Sequence, residues 1–99
     1  MMICVIADVS LRAGSRDAFL AAAREVVAAT RSEPGCIRYD LTQDVENSEQ
    51  VTFVEEWQSR EALAAHFETE HMAQWRVTSA PFVVGRTIKV LHVGDVELL

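Results

Sequence analysis

The sequence predicts an α+β domain in which four strands form one antiparallel sheet and two helices cover one of its faces. Three observations predict it. Hydropathy alternates with a period of two in four stretches, it recurs at helical spacing in two others, and the order along the chain is β-α-β-β-α-β. With 99 residues there is room for one hydrophobic core, so residues 1–99 are read as a single domain.

Ile3 to Val9 forms the first strand, with Ile3, Val5, Ala7 and Val9 on one side and Cys4 and Ile6 on the other before Asp8 and Ser10 turn polar. Arg12-Ala13-Gly14 reads as a turn, and Ser15 is placed to cap a helix with Asp17 in its first turn. Phe19, Ala22, Ala23, Val26, Val27 and Thr30 recur at helical spacing until Pro34-Gly35 stops the helix. From Cys36 the period returns to two: Ile37, Tyr39 and Leu41 face one way, Arg38, Asp40 and Thr42 the other. Glu46 to Glu49 is a polar hairpin tip, and Val51 to Trp57 is the third strand. Ser59 caps a second helix with Leu63 and Phe67 on its buried face; Thr69-Glu70 interrupts it, and helix resumes from His71 to about Ser79. Phe82 to Val93 is the last strand. Two crossovers between parallel strands and a central hairpin place the helices on the same side of the sheet, a ferredoxin-like arrangement.

Apolar residues on both sides of the first strand, and of the last, require two covers. The last strand carries Val84, Ile88 and Val90 on one side and Val83, Leu91 and Val93 on the other. The helices supply one cover, so a homodimer packed sheet to sheet is expected. Nine Lys+Arg against fifteen Asp+Glu leave a net charge of -6, which disfavours nucleic acid and anionic membrane surfaces as partners. No apolar run reaches the roughly 18 residues of a spanning helix. The start, Met1 to Val5, does not read as a signal peptide, and Cys4 and Cys36 read as reduced thiols, so a cytoplasmic location is expected. Gly14, Gly35, Gly85 and Gly94 are isolated, which excludes a dinucleotide fingerprint or a phosphate loop.

Glu55 shares a strand face with Val51, Phe53 and Trp57. A carboxyl among aromatics is costly to ionise and its pKa rises, which suits acid–base chemistry; the bland alternative is a pairing with Arg38 or Arg86. His66 falls on the helix face turned to the sheet, and His71 follows five residues later. One such histidine alone would read as structural. Two, with Glu55 and Trp75 in the same helix–sheet cleft, favour a small-molecule pocket. On an unbroken helix His66 and His71 stand about 140° apart, which is wrong for a shared metal. A zinc or iron site through His66, His71 and Glu55 would need the helix to break, so no metal is expected. Cys36 has no base beside it and reads as a small core residue.

Glu33-Pro34-Gly35-Cys36-Ile37-Arg38-Tyr39, Phe53-Val54-Glu55-Glu56-Trp57, Glu61-Ala62-Leu63-Ala64-Ala65-His66 and Thr69-Glu70-His71-Met72 together resemble the antibiotic biosynthesis monooxygenase domain family, in order and over nearly the whole chain. The resemblance implies the same fold, a dimeric α+β barrel, and a pocket between helices and sheet. It also implies activities ranging from cofactor-independent oxidation of quinols or polyketide-type phenols to haem breakdown and the processing of small phosphorylated sugars. The positions it carries over are Glu55, His66 and His71, with Tyr39 and Trp57 at aromatic positions. The haem-degrading branch carries Asn on the first strand, Trp where His66 stands and a ligating His near Arg76; Ala7-Asp8, His66 and Arg76 depart from it, so haem breakdown is not expected. The Asn–Trp–Tyr–Arg set of the polyketide-oxidising branch finds no matching place, and the pattern is more similar to small bacterial quinol-monooxygenase-type proteins.

The expectation is therefore a cofactor-free monooxygenase acting on a quinol or other hydroxyaromatic with O2. Catalysis falls to His66, Glu55 and His71, and substrate binding to Tyr39, Phe53, Trp57, Phe67, Trp75, Phe82 and Arg76. Two other readings use the same residues. One is an isomerase or proton-transfer enzyme on a small carbonyl compound, with Arg38, Arg76 and Arg86 as cations. The other is a dimeric ligand-binding or stress module without turnover.

Overall fold

Strand β1 (Met2–Leu11) buries its odd side chains, Ile3 through Leu11, and leaves its even ones partly or fully exposed. One apolar side therefore faces a cover and the other does not. The computed structural model describes all 99 residues and continues with α1 (Arg16–Arg31), β2 (Cys36–Gln43), β3 (Gln50–Trp57), α2 (Arg60–Phe67), α3 (Glu70–Ser79) and β4 (Val83–Val93). A single 3₁₀ turn, Ala80–Phe82, leads into β4. The sheet order is β2-β3-β1-β4 with every neighbouring pair antiparallel, the ferredoxin-like α+β topology, and the helices lie on one face.

The helical layer has three helices rather than two, because Thr69 ends one and begins the next. Its backbone is extended (φ -72°, ψ 154°). Its hydroxyl donates to the His66 carbonyl (2.8 Å) and accepts from the Met72 amide (3.3 Å). Ser59 does cap α2 through Oγ, accepting from the Ala62 amide at 3.1 Å. Ser15 precedes α1 as expected, but its side chain makes no capping bond; only its carbonyl is used, by the Phe19 amide. Phe19, Ala23, Val26 and Thr30 form the buried stripe of α1 and pack toward the aromatic core around Phe53 and Trp57.

Two bulges correct the face assignments. Cys36 pairs with Trp57 and Arg38 with Glu56, so Ile37 is the extra residue of a bulge and stands half-exposed instead of joining Tyr39 in the core. Between Ser10 and Leu11 the pairing with β4 shifts by one, with Val84 as the extra residue. Val83 thereby joins the same face as Ile88 and Val90 and packs against the core. The opposite sheet face, with Met2, Cys4, Ile6, Val54 and Leu91, has no cover within the chain.

Gly35 closes the turn after α1 at φ +86°, a conformation that suits glycine, and a Cβ there would stand 2.7 Å from the Ala62 Cβ of α2. Its carbonyl also accepts from the Gln58 amide at 2.9 Å. Gly35→Ala is expected to lower stability by about 1–3 kcal/mol in urea unfolding. Adding Ala62→Gly should return the steric share of that loss and leave the backbone share, a partial recovery that separates the two causes.

Candidate active site

Between the helices and the covered face of the sheet lies a cavity of about 150 Å³. An apolar void of that order holds a single benzene-sized ring. The sheet contributes Val5, Ala7, Val9, Phe53 and Glu55; Phe19, Phe67 and Trp75 close it from the helices. The aromatic walls are mutually braced: Phe19 meets Trp75 edge-on at 5.2 Å between ring centres, and Tyr39 lies 5.5 Å from Phe53. The exposed side chains of Arg76, Arg86 and Ile88 also line the cavity, so it meets solvent beside β4.

Glu55 is the buried carboxyl of this cavity, at 6% exposure. It is partnered by neither Arg38 nor Arg86. Arg38 pairs instead with Asp40 and Glu56 on the open face. Trp57 Nε1–H donates to Glu55 Oε1 at 2.9 Å. Burial raises the Glu55 pKa to about 7; the indole bond opposes the rise and the nearby Glu33 charge adds to it. Burial also raises the Tyr39 phenol well above its ordinary value, with the Glu55 charge adding to it, so the phenol stays protonated. The Cys36 thiol is raised too, by burial and then by Glu33 and Glu55, consistent with an inert packing residue.

The second polar group is a cluster that sequence reasoning missed. Oε2 of Glu33 lies 2.7 Å from His66 Nδ1 and 2.6 Å from His71 Nε2. A carboxylate oxygen can only accept, so each imidazole presents an N–H to it. The break at Thr69 swings α3 so that both rings reach one carboxylate, and the partner they share is Glu33 rather than Glu55. His66 is 1% exposed, and its pKa falls below the ordinary value because burial outweighs the raising effect of Glu33. With Nδ1–H committed to Glu33, Nε2 of the neutral ring carries a lone pair. That nitrogen makes no hydrogen bond within the chain, and His66 lines the cavity.

Of the residues expected to act, Glu55, His66, Tyr39, Phe53, Phe67, Trp75 and Arg76 all line this one cavity. Three do not. His71 borders a separate groove between α1 and α3. Trp57 is fully buried behind Glu55, and Phe82 packs on the core outside the lining. Phe19 and Met72 join the lining without having been singled out for it; of the three arginines offered as cations for the proton-transfer reading, Arg76 and Arg86 line the cavity and Arg38 does not. Glu33 had one detectable signal. An acidic residue just past a helix C-terminus meets the unfavourable end of the helix dipole, so it calls for donors from elsewhere.

The model of the family described as antibiotic biosynthesis monooxygenase matches residues 2–78. A Bacillus subtilis protein named "Putative monooxygenase YcnE" is 31% identical over 91 residues, covering 87% of this chain and 96% of its own. The solved structure of a "putative antibiotic biosynthesis monooxygenase" from Nitrosomonas europaea superposes with a TM-score of 0.90 at 28% identity, over 94% of this chain and 90% of that one. Rv0793 from Mycobacterium tuberculosis superposes at 0.87 with 27% identity, over 96% and 97% of the two chains. None of the three names specifies a substrate. With the family model spanning most of its length, the chain belongs to the antibiotic biosynthesis monooxygenase family.

Proposed function

We propose that this protein is a cofactor-independent monooxygenase that oxidises a quinol or another hydroxyaromatic with O2. The observation that carries the reading is His66: a buried neutral imidazole on the wall of a ring-sized aromatic cavity, held at Nδ1 by Glu33 and with Nε2 left without a hydrogen bond. Nε2 takes the phenolic proton, and Glu33 stabilises the imidazolium that results. The electron-rich phenolate passes an electron to O2, and the two radicals combine at a ring carbon ortho or para to the oxygen that carries a hydrogen. Loss of water from the hydroperoxide yields a quinone. One oxygen atom becomes the new carbonyl and the other leaves as water, which takes the hydrogen of that ring carbon and the phenolic proton returned by His66. Glu55, whose pKa burial raises to about 7, in its protonated form offers an O–H to the substrate oxygen without adding charge. His71 acts on this chemistry only through Glu33.

Oxygen uptake with a panel of quinols and naphthols tests the reading. His66→Ala should lower kcat/KM by about 10²–10⁴-fold, the range of a lost general base. Equal rates in wild type and His66→Ala remove the histidine from the mechanism. Substrate deuterium exchange without oxygen uptake would favour the proton-transfer reading instead.

Glu55 also makes a stability prediction. Its folded pKa is raised, so between about 4.5 and about 7 the unfolded chain has lost a proton that the folded chain retains. Stability therefore falls as pH rises through that window and is level above it. Glu55→Gln cannot ionise and keeps an acceptor for Trp57. It should exceed wild type by on the order of 2 kcal/mol near pH 8 and match it near pH 4 in thermal unfolding.

The protein is further proposed to act as a homodimer joined through the open sheet face. Ile6 stands beside Val54 and Lys89 at the centre of that face. Sedimentation should give twice the chain mass at micromolar concentration, and Ile6→Glu should give the monomer. A monomeric wild type at that concentration would rule out the interface.

A further inference from the structure

Behind the His66 ring, away from the free Nε2, three ligand-type atoms converge. Glu33 Oε2, His66 Nδ1 and His71 Nε2 all lie within 4.8 Å of one another. Three separate elements supply them: the turn after α1, the last turn of α2 and the first turn of α3. We propose that Glu33, His66 and His71 form a binding site for one borderline divalent transition-metal ion of the Zn²⁺ type, taken up in place of the two imidazole–carboxylate hydrogen bonds.

The donor set is two imidazoles and one carboxylate, which suits zinc-like ions and is poor for Mg²⁺ or Ca²⁺. Ligand atoms around a tetrahedral ion with bonds of about 2.0–2.1 Å sit roughly 3.3 Å apart. The N–O contacts of 2.7 and 2.6 Å must therefore open by about 0.6 Å, a movement within reach of side-chain torsions. His71 is the adjustable member, with its side chain 26% exposed; Glu33 is 10% exposed and His66 1%. Solvent reaches the cluster from the His71 side, which supplies an entry path and room for a water ligand. No arginine or lysine pairs with Glu33, whose only ion-pair partners are the two histidines, so its charge is available to a cation. Thr69 sets the convergence: without its break the two imidazoles would diverge around one helix.

The site has a consequence that rests on the reading of His66 as the base. Metal at Nδ1 obliges the neutral ring to carry its proton on Nε2, facing the cavity. The ring then donates where it had accepted, and it can no longer take a phenolic proton. Bound metal would inhibit turnover reversibly from behind the cavity.

The test uses the full chain stripped with EDTA. It is titrated with ZnCl2 by calorimetry and with CoCl2 by visible absorption, with circular dichroism as the check on folding. The expected result is one ion per chain, a raised Tm and Co²⁺ d–d bands. Losing even a partner of a metal ligand costs about 10–100-fold, so His71→Ala and Glu33→Gln should each bind at least 10-fold more weakly. His92→Ala, an exposed histidine on β4, should bind as wild type does. Absence of saturable binding, or undiminished binding in folded His71→Ala and Glu33→Gln, overturns the site. In the turnover assay, Zn²⁺ should inhibit and EDTA restore. Binding without inhibition overturns the tautomer consequence and keeps the site, whereas absence of turnover in metal-free protein overturns the oxygenase reading and leaves the binding result standing.

Discussion

One carboxylate oxygen, Oε2 of Glu33, ties together the three helical segments above the sheet. It leaves the end of α1 in a turn that Gly35 alone makes sterically affordable, and it accepts from a ring on α2 and a ring on α3. The helix dipole of α1 disfavours a negative charge at that place. Two N–H donors from the neighbouring helices offset the penalty, and in return each ring is fixed in one tautomer. Removing the carboxylate would leave the Nδ1–H of His66, in a ring only 1% exposed, without an acceptor. The orientation of that ring, and so the lone pair offered to the cavity, depends on a residue that does not line the cavity.

The two acidic residues of this region live in opposite surroundings. Glu33 sits at a partly open edge with two donors. Glu55 sits among aromatic rings with a single donor, the Trp57 indole, and burial dominates its titration. Two carboxyls held in such unlike environments suit different parts of the proposed chemistry: Glu33 orients an imidazole, and burial raises the Glu55 pKa to about 7. Trp57 serves this arrangement as a support. Being fully buried, it fixes a Glu55 oxygen rather than touching a ligand.

Much of this was legible in the sequence because one-sided burial leaves a periodic trace. The period of two in Ile3 to Val9 and in Val51 to Trp57 is the same alternation that appears as buried and half-exposed residues in β1 and β3. Glu55 and His66 were visible as polar residues at positions where the period calls for apolar ones. Ile37 and Val83 misled because a bulge adds one residue without a composition signal and flips every face beyond it. Trp57 and Phe82 misled because sharing a face with the cavity is not the same as lining it. His71 and Glu33 lie 38 residues apart, and no local spacing encodes a contact of that range. Their meeting depends on the angle between α2 and α3, which Thr69 sets through two hydrogen bonds of its own.

The cavity's size and its rim constrain what can enter together. About 150 Å³ admits one ring, so any larger substrate must project past the edge beside β4. There it meets Arg76, whose one hydrogen bond goes to the Phe67 carbonyl, and Arg86, which has no ion-pair partner in the chain. On a chain of net charge -6 these two uncompensated guanidinium groups are a local reversal of sign. They lower the potential energy of a negative charge at the mouth while the interior resists one. In the proposed reaction, a phenol that enters neutral and becomes an anion only after giving its proton to His66 would cross that gradient in the favourable order: the apolar interior accepts the neutral form, and the new charge arises within the field of the two arginines.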